Sequence, residues 1–335
     1  MKTPTFWYPA QPVRLTDRIA AVALSPLALL YGWVSAVDRA IQGRAPYPAK
    51  IPVICVGNIN AGGSGKTPTA LALGEMIKDT GVFKNPYYVT KGYGGFLSGP
   101  LCLAAGEPSP LSTQATGDEA QLLCRTLPTV IAKNWVDGIR HAENLGADCI
   151  ITDDGLLNRG FEKDLRIMVV DGHYGFGNGR TIPAGPLRRP LKGIEKIADI
   201  AVVIDGDIPN LPVPVIPATI TVQAPELSQT DKVLAFCGIA LPGKFQATLQ
   251  KLGISPKVFK TFPDHHVFGK SDMDALFALA KADNLTLLTT EKDWVRLGSA
   301  ERDIIKTVNI KIQFENKPLM RDSLSKLKQN PAQIT

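Results

Sequence analysis

A chain of 335 residues is longer than one hydrophobic core usually organises, so two domains are expected. Hydrophobic residues at 44% and charged residues at 20% exclude a disordered chain, and five scattered cysteines without C-x-x-C spacing exclude a zinc ribbon and read as buried free thiols. A net charge of +6 suits an anionic partner, whether nucleotide, nucleic acid or acidic membrane surface, without choosing among them.

The first element lies between Arg18 and Asp38, where IAAVALSPLALLYGWVSAV carries no charge. A spanning helix needs about 20 apolar residues, so the stretch is borderline, and Pro26 predicts a kink in it. The flanks are basic: Lys2, Arg14, Arg18, Arg39, Arg44 and Lys50 against Asp17 and Asp38. Trp7, Tyr8, Tyr31 and Trp33 are of the type found at a headgroup interface. Two readings stand, a helix buried against its own domain or a membrane-seeking helix lying in the interface or shallowly inserted.

Next comes NINAGGSGKTPTAL, Asn58 to Leu71. A strict phosphate loop reads G-x-x-x-x-G-K-[ST]; here Asn60 stands in the first glycine slot, followed by Ala61, Gly62, Gly63, Ser64, Gly65, Lys66 and Thr67. Asn is among the few residues that accept a left-handed backbone, which makes the exchange tolerable. The flanks decide the matter. IPVICVGN before it reads as a buried strand, and TPTALALGEMIKDTG after it as a helix with Pro68 in its first turn and Gly81 at its stop. Strand, glycine loop and helix N-terminus together form an anion cradle, with Lys66 on phosphate and the Thr67 hydroxyl available to Mg²⁺.

TGDEAQLLCR places Asp118 and Glu119 at the start of a helical pattern, where capping is one reading and catalysis another. Around it the chain is glycine-rich, at TKGYGG (90–95) and FGNGRTIPAGPLRRP (176–190), and such irregular stretches rarely persist without function. Arg180, Arg188 and Arg189 are candidates for anionic groups there. ADCIITDDG reads as a strand ending in Asp153 and Asp154, adjacent acids that repel unless a cation is near. LRIMVVDG is a further strand, with Asp171 expected as a turn or cap residue.

From about Asp231 strand and helix alternate again: KVLAFCGIA, PGKFQATLQKLG, PKVFKTF, KSDMDALFALAKAD and LTLLTT. The Pro-rich GDIPNLPVPVIPA before them suggests a boundary. FPDHHVFG joins the second strand to the second helix, and its Asp264 can orient the imidazole of His265 or His266.

The strings VGNINAGGSGKTP, TKGYGG, TGDEA, DDG, FGNGRTIPAGPLR, FCGIALP, FPDHHVF and TTEKDWVRL, in this order, closely resemble the tetraacyldisaccharide 4'-kinase family of Gram-negative bacteria. The resemblance runs from the N-terminal helix to about Leu297. It implies an α/β fold: a membrane-associated helix region (1–44), a P-loop kinase domain (45–225) and a smaller α/β domain (226–335). It also implies ATP- and Mg²⁺-dependent phosphorylation of the 4'-hydroxyl of a lipid A disaccharide 1-phosphate, giving lipid IVA at the cytoplasmic face of the inner membrane. On that resemblance Asp118 is the general base and His265 its partner across the cleft, with Asp264 beside it. Glu119, Asp153, Asp154 and Thr67 serve the metal, and residues 60–67 hold the nucleotide. A monomer working at the membrane surface, without nucleic acid, is the matching expectation. DDGLLN departs from the family's D-D-G-[FL]-Q-H at Leu157 and Asn158. Lys91 and Arg189 stand where an arginine and a glutamate are usual. TEKDW does not fit the N-K-x-D of a GTPase, and an ATP-gated adaptor would have no use for Asp118 and His265.

Overall fold

The computed structural model of the chain describes residues 4–8, 14–41 (35–41 as backbone), 45–106, 108–109, 111–228, 232–239 and 242–329. At the N-terminus, α1 (Leu15–Ala23) and α2 (Ser25–Ile41) meet at a bend of about 40°. The break falls at Leu24, so Pro26 lies in the first turn of α2, where its missing N–H costs nothing. Ser25 Oγ reaches back to the Ala21 carbonyl at 2.8 Å. The pair is not buried against its own domain. Leu29 is 76% and Trp33 66% exposed, with Leu15, Ile19, Val22, Leu27, Leu30 and Val34 also open. No single helix among the described residues is long and apolar enough to cross a membrane. Of the expected basic flank, Lys2, Arg44 and the side chain of Arg39 lie outside the described residues, as does that of Asp38.

The first half alternates strands and helices. β1 (Val53–Gly57) leads through the glycine loop into α3 (Lys66–Thr80), β2 (Pro86–Thr90) and β3 (Leu101–Leu103). Then come α4 (Thr113–Thr116), α5 (Asp118–Leu123), β4 (Thr129–Ile131), α6 (Trp135–Asn144), β5 (Cys149–Asp153), β6 (Leu165–Asp171), β7 (Ile200–Ile204) and β8 (Val215–Gln223). The Pro-rich segment expected as a boundary carries β8 itself. Pro217 sits one residue before the ladder to the next antiparallel strand begins, where a missing N–H is tolerated.

After it come β9 (Lys232–Cys237), α7 (Pro242–Lys251), β10 (Val258–Thr261), α8 (Lys270–Asp283), β11 (Leu285–Thr290) and α9 (Glu291–Trp294). The last elements are α10 (Ser299–Ile304), β12 (Lys306–Phe314) and α11 (Lys317–Gln329). All strands join one sheet in the order β10-β9-β11-β12-β8-β7-β6-β1-β5-β2-β4-β3. Pairing is parallel except at β8–β12 and β3–β4. Near-continuous apolar runs such as VICVG and IAVVI are what a sheet covered on both faces requires.

One face packs on α3 through Ala70, Leu73 and Ile77, and the same core receives Met320 and Leu324 of α11 from the chain's far end. The other face packs on α6 through Trp135 and Ile139. β1 lies between β5 and β6, so the chain order reverses there. The glycine loop leaves β1 at the switch point, where a doubly wound sheet opens a crevice.

Candidate active site

The loop after β1 wraps as the motif requires, with the strain in unexpected places. Left-handed backbone falls at Gly62 (φ 119°) and Gly65 (φ 86°), and among the described residues Asn60 does not adopt it. Asn60 replaces glycine for another reason. Its backbone bridges Leu187, and its Nδ2 donates to the Gly175 carbonyl at 2.8 Å, tying the cradle to the 176–190 segment. Asn58 Nδ2 braces the loop from within by donating to Ser64 Oγ at 2.7 Å. A Cβ on Gly65 would sit on a left-handed backbone and stand 2.6 Å from Ile204 Cδ1, so a side chain there is strained and pushes that methyl aside.

At the helix start, Thr67 Oγ1 donates to Asp153 Oδ2 at 2.8 Å. Asp153 is buried, and its Oδ1 has no partner. Burial, then the negative field of Glu119, push its carboxyl up to about 7. Glu119 is itself raised by burial, against the pull of Lys292 and Lys66. A buried carboxylate oxygen left over beside a threonine hydroxyl and a second acid fits a hard cation. No group of three or more His, Cys, Asp or Glu among the described residues is arranged to hold a metal alone. Magnesium, which takes one or two carboxylates and completes its shell with phosphate and water, needs no such cage. Asp154, left-handed at φ 67°, turns its Oδ2 instead to Lys66 Nζ (3.8 Å) and Arg188 Nη1 (3.5 Å).

Asp118 opens α5 without capping it; Gly117 is the N-cap and makes no side-chain cap bond. The Asp118 carboxylate is 7% exposed and points across to the second half of the chain. Its Oδ2 lies 2.9 Å from His265 Nδ1 and accepts from Arg296 Nη2 at 2.5 Å. Burial alone would raise its pKa, but the His265 and Arg296 hydrogen bonds and the guanidinium charge outweigh it and hold the group at about 2.

Arg296 is the residue that the sequence does not single out. Its side chain is 2% exposed and also donates from Nη1 to the Gly238 carbonyl and to Asp293 Oδ1, both at 2.8 Å. Asp293, wholly buried, is fixed in turn by Thr290 Oγ1 at 2.6 Å. The available signal was Asp293 three residues before Arg296, the spacing of a helical ion pair, inside TTEKDWVRL.

The two histidines separate cleanly. His265 (φ 57°) faces Asp118, and its Nε2 lies 3.4 Å from Lys292 Nζ. Asp264 stands 3.9 Å from Nε2, beyond hydrogen-bonding range, so Asp118 and not Asp264 orients the ring. His266 turns away to Asp272 at 3.0 Å and stacks on Phe262, a structural role at the start of α8. Asp171 is a turn residue as expected, accepting from His173 N at 3.0 Å.

The glycines around Asp118 are explained by backbone touching backbone. A Cβ on Gly117 (φ 84°) would lie 2.5 Å from the Tyr93 carbonyl, and one on Gly95 2.5 Å from that of Ala115. The TKGYGG loop therefore forms the seat of the Asp118 turn. Lys133 Nζ pins that seat by donating to the carbonyls of Lys91, Gly92 and Gly95 at 3.0–3.1 Å. On the far side, the 176–190 segment runs along the cradle, with Ala61 N donating to Pro186 O and Arg188 N to Ile59 O, each at 2.7 Å. It also holds the N-terminus: Trp7 Nε1 donates to Pro183 O at 3.0 Å, and Asn178 Nδ2 to Phe6 O at 2.9 Å. Arg180 Nη1 donates to Ser25 Oγ at 2.6 Å.

A family model described as tetraacyldisaccharide-1-P 4'-kinase (LpxK) matches residues 20–329. The curated tetraacyldisaccharide 4'-kinase of Paramagnetospirillum magneticum is 39% identical over 330 residues, covering 96% of this chain and 97% of that protein. That of Methylorubrum extorquens is 37% identical over 336 residues, covering 97% and 98%. Among solved structures, LpxK from Aquifex aeolicus in complex with ATP, described as an "apo" form, is similar with a TM-score of 0.77. Identity there is 25%, over 92% of this chain and 99% of that one.

Proposed function

Because the chain belongs to the tetraacyldisaccharide-1-P 4'-kinase family and is a tetraacyldisaccharide 4'-kinase, we infer from its site how the labour of that reaction is divided. The enzyme transfers the γ-phosphoryl group of ATP to the 4'-hydroxyl of tetraacyldisaccharide 1-phosphate, giving lipid IVA. The observation that carries the assignment of roles is the meeting of His265 and Arg296, both from the second half of the chain, on one carboxylate oxygen of Asp118 in the first.

The amides of residues 60–67 and Lys66 bind the nucleotide phosphates at the N-terminus of α3, where the helix dipole favours negative charge. Thr67 and Asp153, with Glu119 beside them, would hold the magnesium ion, and Asp154 is the further carboxylate at the mouth. When bound, the ion supplies charge neutralisation on the phosphates. Asp118 is ionised at neutral pH and accepts a hydrogen bond from the 4'-hydroxyl. As the new O–P bond forms and the bond to the ADP oxygen breaks, the hydroxyl proton passes to Asp118 and then to solvent. A carboxylate held at about 2 retains a proton poorly, so its chief contribution is orientation, with transfer coming late. Arg296 and His265 fix that oxygen, and both arrive from the second half of the chain. The exposed apolar side chains of α1 and α2 support a peripheral seat on the cytoplasmic surface of the inner membrane, where the enzyme is taken to act as a monomer.

Incubation with γ-labelled ATP, magnesium and the acceptor in detergent tests the reading. Asp118→Ala is expected to lose labelled lipid while still binding nucleotide. Near-normal turnover in that variant rules out the base assignment.

A further inference from the structure

On the α3 side of the sheet, the seam between the two halves of the chain is not filled. It holds a cavity of about 480 Å³, walled by Leu71 of α3, Leu122 of α5 and Ile310 of β12. Two ion pairs cross the seam here: Lys311 of β12 with Glu75 of α3, and Arg125, just past α5, with Glu291, the first residue of α9. The first pair is nearly half exposed on both sides, and such surface pairs hold little. The second is drawn further out of water, its side chains 30% and 24% exposed. The Arg125 guanidinium also lies over the ring of Trp294 at 5.1 Å. Burial raises the Glu291 carboxyl in spite of the arginine beside it.

What Arg125 holds is a single turn. α9 has four residues, too few to be stable without tertiary support. Yet it carries, or leads directly into, three groups of the site. Lys292 Nζ lies 3.4 Å from His265 Nε2, Asp293 accepts from Arg296 at 2.8 Å, and Arg296 donates to Asp118 at 2.5 Å. Glu291 and Trp294 are three residues apart and share one face of the turn, so the one arginine grips that face at both ends. Thr290, Asp293 and the Gly238 carbonyl secure the segment within its own half. Across the seam, Arg125 and Asp118 secure it to α5, which has Asp118 at its start and Arg125 two residues past its end. One tie between two short elements leaves a pivot; two ties do not.

We propose that Arg125 and Glu291 are positioning residues for phosphoryl transfer: by fixing the rotation of α9 they aim Arg296 at Asp118 and Lys292 at His265. The inference rests on the kinase reading above. Neither residue touches the reacting groups; they act through Arg296 and Lys292. Because the cavity leaves α9 without apolar packing on this side, loss of the clasp frees the turn to rotate. A small misplacement of the groups that orient Asp118 is costly to the chemical step, since alignment is most of what such a site supplies. The phosphate cradle at the start of α3 is held by other contacts and is left as it was.

The test measures lipid phosphorylation by the wild type, Arg125→Leu, Arg125→Lys and Glu291→Gln, at a temperature where circular dichroism shows the protein folded. Glu291→Gln keeps the shape and strands no buried carboxylate, so it carries the test if Arg125→Leu does not fold. Arg125→Leu and Glu291→Gln are each expected to lose about tenfold or more in kcat, with KM for ATP within about twofold of the wild type. Arg125→Lys, which keeps the charge, should lose less than Arg125→Leu. In an Arg296→Met background, either change should cost less than about twofold further, because its effect passes through Arg296. Amide hydrogen exchange over residues 291–297 should quicken about tenfold or more in the variants while α3 keeps its protection. Unchanged kcat in the folded variants overturns the proposal, and so does a loss that recurs in full in the Arg296→Met background. If the wild type labels no lipid, the kinase reading itself fails; the exchange measurement still decides the clasp, and unchanged protection over 291–297 overturns it.

Discussion

Arg296→Met is the perturbation that separates the clamp on Asp118 from mere packing. The guanidinium, 2% exposed, holds Asp118 at 2.5 Å and Asp293 at 2.8 Å, and both carboxylates are buried. Removing one partner of a buried ion pair costs about 3–5 kcal/mol. Thr290 and His265 keep one hydrogen bond on each carboxylate, so the lower end, about 3 kcal/mol, is expected from urea unfolding. Adding Asp293→Asn removes the stranded charge and should return about 1 kcal/mol or more.

The electrostatic consequence is separate. Loss of an adjacent opposite charge moves a carboxyl by about 1–3 units, and burial of Asp118 is then less opposed. Its pKa rises from about 2. In the wild type the stabilisation from this depressed carboxyl is complete above its ordinary value of 3.8 and lost as pH falls through about 2. In the variant this contribution shrinks as the carboxyl's pKa nears or passes 3.8, and the acid limb of kcat/KM moves up by about 1–3 units. The measurement is lipid phosphorylation carried down to the lowest pH at which both proteins stay folded, beside the unfolding curves. An acid limb that superposes on the wild type while stability drops would show that Arg296 only packs.

Three further outcomes follow from the same geometry. Asp153, held at about 7 by burial and Glu119, would have to ionise in order to hold magnesium as proposed. Mg·ATP binding should therefore release close to one proton below that pH, read by calorimetry in buffers of different ionisation heat, and Asp153→Asn should abolish the release. Because this pKa is raised, its stabilisation of the fold is present at low pH and lost as pH climbs through about 7. Gly117→Ala places a Cβ 2.5 Å from the Tyr93 carbonyl at φ 84°, and should cost about 2 kcal/mol in thermal melts and displace Asp118, lowering kcat. Trp33→Glu with Leu29→Glu should cut cosedimentation with anionic vesicles about tenfold or more and leave ATP binding intact. Unchanged sedimentation would deny the helices a membrane role.

Legibility followed periodicity and punctuation. The strand before Asn58, the helix from Lys66 to the left-handed Gly81, and the strand ending at Asp153 were readable because apolar runs met glycine or acidic stops. The helix–strand alternation after Asp231 was readable for the same reason. The short β3 and β4 were not, since three residues carry no period. Nor was β12, whose alternation is diluted by lysines on its open face and whose partner β8 hides behind prolines. At the site, Asp118 and His265 could each be singled out from their own strings, but their pairing could be expected only through the family resemblance, because nothing local joins positions so far apart. Arg296 stayed hidden for the reason that an arginine in a polar string reads as surface. The departure at Asn60 was visible and its cause was not, since that cause is a carbonyl at Gly175.

The fastening of Phe6 and Trp7 to residues 178–183 has a mechanical result. The same short segment runs on to Arg188, which faces Asp154, and lies against Asn60 and Ala61. The first residues and the glycine loop are thus fastened to one and the same short strip of chain, so a pull on either end would reach the other through only a few hydrogen bonds.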